Sequence, residues 1–317
     1  MTDISIVIRT LNEDKYLGDC LAAIAMQEVG DLSVEVVVID SGSTDRTLEI
    51  AKAHGARITH IKKSEFTFGR SLNRGCAFAR GEILVLLSGH CIPVGPNWLT
   101  ELTAPLSNNQ AVYSYGRQIG RQRITKFSEH QLFAKYFPPE NKVPQEGFFC
   151  NNANSALQRR IWSETQFDET ITGLEDMALA KRLVARGEKI SYIGTAAVEH
   201  LHEESWRKVC IRFEREAIAL RGIMPDVHLN FGDFLRYTIS GILIDCGQAL
   251  DQGCFHREVA SIIAFRTCQY WGAWRGNAAT REISRARKEQ YFYPNYTLAN
   301  ESTPRPREVE ELPSTSR

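Results

Sequence analysis

Apolar residues in the first part of the chain fall alternately into short β-branched runs and stretches with helical periodicity. The runs predict strands, and the near-continuous ones at 34–39 and 83–87 suit parallel strands buried on both faces. Between the runs, Leu17, Cys20, Leu21 and Ile24 recur on one helical face. The predicted strands are 4–8, 34–39, 56–61 and 83–87, and the predicted helices are 16–26, 46–54 and 69–79. This order predicts an α/β fold with a doubly wound, mostly parallel sheet flanked by helices.

The remainder of the chain predicts one more helix and strand, followed by a helical extension. Residues 110–160 mix strand and loop signals, 175–186 read as a helix and 189–193 as a strand. From about residue 203 to 290 the pattern is helical, with breaks at Pro225 and Gly253. The following residues are rich in Pro, Ser, Thr and Glu, which predicts disorder. We therefore expect a domain at 1–204, a helical extension at 205–292 and a disordered tail at 293–317.

Charge and cysteine usage narrow the classes of function. The 317-residue chain has 38 basic and 38 acidic residues, and this zero net charge gives no general attraction to nucleic acid, so we expect no nucleic-acid partner. The eight cysteines are scattered without a Cys-x-x-Cys pair, which favours reduced thiols over a zinc site or disulfides. No signal-peptide pattern is visible, and the apolar stretch at 237–250 is interrupted by Asp245. These features predict a cytoplasmic protein.

Short polar clusters follow three of the predicted strands, at the point where each strand ends. They comprise Thr10, Asn12 and Glu13 after the first strand, Asp40 and Ser41 after the second, and Ser88 and His90 after the fourth. Ligands of doubly wound sheets bind beyond the carboxyl ends of the strands. Because these ends meet at one edge of the sheet, we expect the three clusters to line one pocket.

Four segments resemble, in order and spacing, the motifs of family 2 glycosyltransferases, which have the GT-A fold. They read SIVIRTLNE, VVVIDSGSTDRT, GEILVLLSGHCIP and GLEDMALAKRL, and together they cover roughly residues 4–202. DSGSTD and the helical C-terminal segment are most similar to bacterial rhamnosyltransferase-type members. The resemblance implies an inverting enzyme that moves one hexose, with rhamnose as a candidate, from a nucleotide-diphosphate donor to a saccharide or lipid-linked acceptor. Surface polysaccharide or glycolipid synthesis is the implied setting.

The same resemblance assigns the nucleotide-sugar contacts. It places nucleoside contacts at Thr10 and Glu13, beside Asn12, and base and ribose contacts at Asp40 and Ser41. Family members usually have a second carboxylate, which often pairs with uracil, where this chain has Ser41. Its absence leaves room for dTDP or another base beside uracil, and the donor is expected to be dTDP- or UDP-linked. Further contacts with the nucleotide, phosphate or sugar are expected from four polar side chains: Arg70, Asn73, Ser88 and Asn154.

The metal motif departs from the family pattern. Where the family has Asp-x-Asp, this chain has Ser88-Gly89-His90, and Pro93 keeps the register. Either His90 ligates the metal or it contacts the phosphate directly. The family often has a further metal-binding histidine that corresponds to His200, with His202 as second choice; on an extended segment both point to one face. A site rich in imidazole favours Mn²⁺ over Mg²⁺.

Two adjacent acidic residues are the candidates for catalysis. An inverting transfer requires a group that removes the proton of the acceptor hydroxyl, and a carboxylate near the sugar is suited to this. The family motif places this base at Asp176, with Glu175 orienting the acceptor or sugar. Acidic residues at this position also interact favourably with the helix dipole, whatever their catalytic role.

Aromatic and basic residues alternate near the C-terminal end of the helical extension. Between residues 265 and 288 six basic residues accompany Phe265, Tyr270, Trp271 and Trp274. Such a helix can lie at the inner face of a membrane and bring the site to a lipid-linked acceptor, or its aromatics can pack on the catalytic domain. The altered metal motif also leaves open a non-catalytic protein that binds nucleotide sugars or acts as a scaffold.

Overall fold

The computed structural model describes residues 2–278 and Tyr291. The described residues form eight strands and ten α-helices. The strands are β1 (Ile4–Thr10), β2 (Val34–Asp40), β3 (Arg57–His60), β4 (Ile83–Ser88), β5 (Cys91–Pro93), β6 (Tyr113–Ile119), β7 (Asn154–Gln158) and β8 (Ile190–His200). The helices are α1 (Leu17–Ala25), α2 (Thr47–Ala53), α3 (Phe68–Phe78), α4 (Trp98–Ser107), α5 (Phe127–Tyr136), α6 (Arg159–Glu164), α7 (Glu175–Ala185), α8 (Trp206–Ile223), α9 (Phe231–Asp251) and α10 (Phe255–Ala278).

All eight strands belong to one mixed sheet in the order β3-β2-β1-β4-β7-β6-β8-β5. The pairings of β1 with β2 and β4, of β2 with β3, and of β6 with β8 are parallel. Only β7 and β5 run in the opposite direction. The expectation of a mostly parallel sheet flanked by helices, with a helical C-terminal region, is therefore confirmed.

The sheet is buried on both faces because alternate side chains of its central strands enter two separate cores. Ile6 and Val38 belong to the core beneath α1 and α4, whereas Val7 and Ile39 belong to the core beneath α3 and α7. All four side chains are completely buried. This arrangement explains the near-continuous apolar runs in these strands, which a half-exposed strand would not have.

Strand β8 is longer than the sequence pattern indicates. The expected strand ended at residue 193, but the structure extends it to His200. Its second half pairs with β6 on one side and, through His200 and Cys91, with β5 on the other. Hydrogen bonds to both neighbours hold residues 194–200, whose glycine, two alanines and glutamate have little strand propensity by themselves. This extension brings His200 to the edge of the sheet where the polar clusters lie.

Three long helices form the C-terminal part of the described chain, with breaks at Pro225 and Gly253 as expected. Helix α10 packs closely on α8, where a Cβ atom on Gly272 would lie 2.3 Å from the carbonyl oxygen of Cys210. The Arg266 guanidinium binds both oxygens of Asp245 at 2.7 Å, which joins α10 to α9 through a buried ion pair. No helix among the described residues is long and apolar enough to cross a membrane.

Candidate functional site

The polar clusters after β1 and β4 meet the start of α7 at one edge of the sheet. Glu13 contacts Nδ1 of His90 at 2.9 Å, so the first and third clusters touch directly. Arg9, at the end of β1, binds Glu175 at 3.3 Å and so joins β1 to α7. Its positive charge acts on both His90 and Asp176. These contacts join the ends of β1 and β4 and the start of α7.

Three histidines form a compact cluster at this edge. One ligand atom from each of His90, His200 and His202 lies within 4.8 Å of the other two. His200 and His202 are neighbours on the same side of an extended segment, with ring centroids 4.0 Å apart. The His90 ring stacks on His200 at 5.1 Å, and the His90 carbonyl oxygen accepts a hydrogen bond from the Leu201 N–H at 3.1 Å. The backbone thus fixes the β4–β5 turn against the end of β8.

Each of these imidazoles has its Nδ1 atom engaged by a side-chain oxygen. The partners are Glu13 for His90 at 2.9 Å, Gln118 for His200 at 2.6 Å, and Glu129 for His202 at 2.8 Å. An ionised carboxylate or an amide oxygen can only accept, so Nδ1 carries the proton. In the neutral imidazole the Nε2 lone pair is then free, which is the tautomer that a metal-binding imidazole requires.

Burial and neighbouring charges act differently on the residues of the cluster. Burial, together with the two adjacent imidazoles, holds the pKa of His200 well below its usual value, so this ligand is neutral at pH 7. Burial alone would raise the pKa of Glu129, but His202 and Arg212 outweigh burial and lower it to about 2. At His90 burial lowers the pKa, but the Glu13 carboxylate outweighs burial and raises it. The carboxylates of Glu13 and Glu129 thus contact Nδ1 of His90 and His202.

This donor set fits a divalent metal ion. Three imidazole nitrogens suit Mn²⁺, Zn²⁺ and similar transition metals better than Mg²⁺, which prefers oxygen ligands. Glu129, His202 and Glu204 form a second group of possible metal ligands, which shares His202 with the three-histidine cluster. Arg212 binds Glu129 at 2.7 Å and Glu204 at 2.8 Å, so this group already has a cation within the protein. The three-histidine cluster is thus the better metal site.

The two acidic residues at the start of α7 are both buried, at 4% and 6% exposure. The Asp176 carboxylate accepts hydrogen bonds of 2.8 Å from the backbone N–H groups of Asn152 and Met177. Burial, followed by the negative charge of Glu175, raises the pKa of Asp176 to about 7. A carboxylate with this pKa can both accept and release a proton near neutral pH, as a general base must.

The carboxylate of Asp40 organises the loop after β2. It accepts hydrogen bonds from the backbone N–H groups of Gly42 and Ser43 and from the hydroxyls of Thr10 and Ser43. The Ser41 hydroxyl donates to the Thr10 carbonyl oxygen at 3.0 Å. Asp40, Thr10 and Ser41 are almost completely buried, so their side chains shape the loop and its backbone. Among the expected nucleotide contacts after β1, Asn12 is exposed.

Two further candidates have side-chain amides that are fully used within the protein. The Asn73 amide donates to Phe167 and Glu169 and accepts from Trp162 and the Phe167 N–H. The Asn154 amide donates to two carbonyl oxygens and accepts from the Trp98 indole. Neither amide has a donor position left for a ligand. Both side chains hold the loops that surround the site, and direct sugar or nucleotide contact by either residue stays a prediction.

The remaining candidates differ in how accessible they are. Arg70 is partly exposed but binds Glu169 at 2.7 Å. Ser88 is half-buried, and its N–H donates to the Ala153 carbonyl oxygen at 3.2 Å. Asn152 is a better candidate than Asn154. Its Nδ2 atom is buried without a hydrogen-bond partner, while its backbone N–H holds Asp176.

Sequence reasoning did not identify three residues that the structure places in the site. Arg9 has a recognisable signal, since a basic residue one position before the end of a buried strand is unusual. Gln118 and Glu129 give no local signal. Their histidine partners lie 82 and 73 residues away in sequence. Only the packing of β6 and α5 beside β8 brings them together.

Comparison with known proteins assigns the chain to a family. Residues 5–166, about half of the chain, match the model of glycosyl transferase family 2. The O-antigen chain rhamnosyltransferase WbaN of Salmonella anatum is 27% identical over 218 residues, covering 66% of this chain and 69% of that protein. The O-antigen chain rhamnosyltransferase RfbN of Salmonella typhimurium is 24% identical over 240 residues, covering 72% and 76%.

A solved structure has the same fold. It is glucosyl-3-phosphoglycerate synthase from Mycobacterium tuberculosis in complex with Mn²⁺, UDP-glucose and phosphoglyceric acid. The TM-score is 0.52 at 20% sequence identity, and the match covers 71% of this chain and 79% of that one. The sheet described above is thus a GT-A sheet. The chain therefore belongs to glycosyl transferase family 2, and it is a nucleotide-sugar glycosyltransferase with the GT-A fold.

Proposed function

We propose that this enzyme transfers a single hexose, with inversion, from a nucleotide-diphosphate donor to a saccharide acceptor, and that Asp176 is the general base. One observation carries the proposal. A buried carboxylate with a pKa of about 7 lies at the same edge of the sheet as the three-histidine cluster. A base of this pKa and a cation site for the departing diphosphate are the two groups that such a transfer requires.

The residues around Asp176 define how the base works. Two backbone N–H groups, from Asn152 and Met177, fix the carboxylate in one orientation. When the acceptor hydroxyl attacks the anomeric carbon, Asp176 takes its proton and the sugar–phosphate bond breaks with its electron pair on the diphosphate. Arg9 holds Glu175 beside the base, and the Glu175 charge helps to keep the Asp176 pKa high.

We further propose that His90, His200 and His202 hold a divalent cation, with Mn²⁺ favoured over Mg²⁺. When bound, such a cation neutralises charge on the diphosphate leaving group. Support comes from the three free Nε2 atoms and from the carboxylates behind them. The solved relative described above contains Mn²⁺.

The donor and acceptor follow from the relatives and the sequence. Rhamnose is the proposed sugar, because the two Salmonella relatives are named as O-antigen chain rhamnosyltransferases. The donor is then dTDP- or UDP-linked, and the acceptor is a saccharide in surface polysaccharide or glycolipid synthesis. A lipid-linked acceptor, a peripheral membrane contact and a location at the cytoplasmic face remain predictions from the sequence. The eight free cysteines are in keeping with a reducing compartment.

The domain division also remains a proposal. A catalytic domain at 1–204 and a helical extension at 205–292 place the boundary between β8 and α8. The tail at 293–317, and the basic residues from 281 to 288 on which the membrane expectation largely depends, lie outside the described residues.

A donor panel tests the proposed activity. The full-length protein is incubated with a panel of saccharide and lipid-linked acceptors and with dTDP-rhamnose, UDP-glucose or other nucleotide sugars, in Mn²⁺, Mg²⁺ or chelator, and release of nucleoside diphosphate is measured. We expect release from one donor in Mn²⁺, and its loss in Asp176→Asn. Donor binding without release under any of these conditions would instead favour a non-catalytic nucleotide-sugar-binding protein.

A further inference from the structure

An apolar surface covers the outer side of α9. Its large apolar side chains are between 38% and 66% exposed: Leu235, Tyr237, Ile239, Leu243, Ile244 and Leu250. Ile263 and Trp271 of α10 are also exposed, at 47% and 38%. Large exposed apolar patches are uncommon on monomeric soluble proteins and mark interaction surfaces. The transfer reaction proposed above makes no use of this surface, which lies on the helical extension.

The opposite side of α9 packs against the neighbouring helices, which hold α9 in place. Asp245 is completely buried and binds Arg266 through both of its oxygens. Gly241 and Ala249 are also buried against the neighbouring helices. The only acidic side chain between residues 236 and 251 is therefore turned inward, which leaves the outer face without charge over most of its length.

Arg236 at one end of this face and Asp251 at the other carry opposite charges, and Arg236 also binds Asp233 of its own helix at 3.2 Å. Arg236 is 67% exposed at one end, and Asp251 is exposed at the other. They are 15 residues apart, which corresponds to about 22 Å along the helix. Leu243 and Ile244 lie midway between them, at 66% and 62% exposure. The face is therefore self-complementary for a second, antiparallel copy.

We propose that α9 is the interface of a homodimer, in which two copies of α9 run antiparallel about a two-fold axis near Leu243 and Ile244. In this arrangement the Arg236 of each chain faces the partner's Asp251, and the aliphatic side chains between them are buried. At Gly247 a Cβ atom would meet nothing within 4 Å, so the helices can approach closely there. Two-fold pairing of one surface with itself is the commonest form of oligomer.

The charge balance favours a second copy over a lipid surface. The accessible charged side chains of α9 and the described part of α10 are three acidic and three basic: Asp233, Asp251, Glu258, Arg236, Arg257 and Arg275. An anionic membrane attracts a surface with an excess of basic residues. A balanced set instead suits pairing with an equal number of opposite charges on the partner.

The first test places a charge in the middle of the interface. Analytical ultracentrifugation of the full-length protein should give twice the 35.8 kDa chain mass at high concentration, with reversible dissociation on dilution. Leu243→Glu should give only the monomer. Met26→Glu is the matched control. Met26 is 76% exposed at the end of α1, outside the helical extension, so this substitution should leave the dimer intact. A wild-type monomer at every concentration, or an undisturbed Leu243→Glu dimer, would overturn the proposal.

A charge-reversal pair tests the antiparallel arrangement. Arg236→Asp and Asp251→Arg should each weaken dimerisation about tenfold or more, because each places like charges opposite one another. The double variant should restore it, since the opposite signs are re-established. Failure of the double variant to recover would exclude this register.

Flotation of wild-type monomer with phosphatidylethanolamine–phosphatidylglycerol vesicles, lost in Leu243→Glu, would assign the face to lipid instead. Nucleoside diphosphate release is measured separately, so failure of the dimer does not affect the proposed activity.

Discussion

The pKa of Asp176 provides a sharp test of the catalytic site, through the substitution Glu175→Gln. The pKa rises from an ordinary value of 3.8 to about 7, with burial as the larger cause and the charge of Glu175 as the second. This shift corresponds to roughly 4 kcal/mol. Gln keeps the shape of Glu175 but removes its charge, so Asp176 should ionise more easily. Arg9, no longer neutralised by Glu175, acts in the same direction.

The size of the pKa change follows from the Coulomb interaction between the buried carboxylates of Glu175 and Asp176. At an effective dielectric constant of about 20, two unit charges within about 12 Å of one another interact by roughly 1.4 kcal/mol or more, so about one pH unit is the smallest shift expected. Since the base works when deprotonated, activity should rise with pH through about 7 in the wild type. In Glu175→Gln the midpoint of this rise should move to lower pH by about one unit or more.

Two measurements follow the same ionisation. Carbon-13 NMR of aspartate carboxyl groups gives the Asp176 pKa directly, with Asp176→Asn identifying its signal. The pH dependence of nucleoside diphosphate release gives the functional value. Glu49→Gln is the control, because Glu49 is 72% exposed in α2 and should leave both curves unchanged. A midpoint that stays in place or moves to higher pH in Glu175→Gln would refute the reasoning.

Three further predictions concern the metal site and the helical extension. His90→Ala should weaken Mn²⁺ binding by the donor-free protein in calorimetry, because one of three imidazoles is lost; unchanged affinity would remove His90 from the metal shell. Glu129→Gln should weaken it about 10- to 100-fold, since an amide holds the Nδ1–H of His202 less firmly than a carboxylate. Asp245→Ala should lower the free energy of unfolding by about 3–5 kcal/mol in denaturant titration, because Arg266 is left buried without its partner.

Controls for these predictions come from the same molecule. Glu164→Ala removes an exposed carboxylate from α6 and should change the free energy of unfolding by less than about 0.5 kcal/mol. His54→Ala removes an exposed histidine far from the cluster and should leave Mn²⁺ affinity unchanged. A loss of metal affinity in His54→Ala equal to that in His90→Ala would show that the measured binding is nonspecific.

Much of the framework could be predicted from the sequence because its signals are local. The apolar runs at 34–39 and 83–87 indicate strands buried on both faces, and in the structure both are interior strands, β2 between β3 and β1 and β4 between β1 and β7. The polar positions after these strands follow from the same pattern, since strand ends of a parallel sheet share one edge. Asp176 is accessible to sequence reasoning for a similar reason, because it opens a helix in a recognisable motif.

Other parts of the site depend on contacts between distant segments. Whether Asn73 and Asn154 face a ligand or bind the protein could not be read from their neighbours in sequence, because their partners lie 89 to 96 and 37 to 56 residues away. The buried ion pair of Asp245 and Arg266 is of the same kind. Asp245 interrupts the apolar stretch at 237–250, and its place there is explained by its ion pair with Arg266 on the next helix.

The sequence by itself determined the alternating α/β architecture, the edge of the sheet where chemistry occurs, and the residue types available there. Only the tertiary structure decided the electrostatics of those residues. A pKa of about 7 at Asp176 and three correctly oriented imidazoles arise from burial and from oxygen atoms of β6, α5 and the β1 loop. Periodicity reports only which face of an element is apolar. Charge states depend on what every neighbouring element contributes in space.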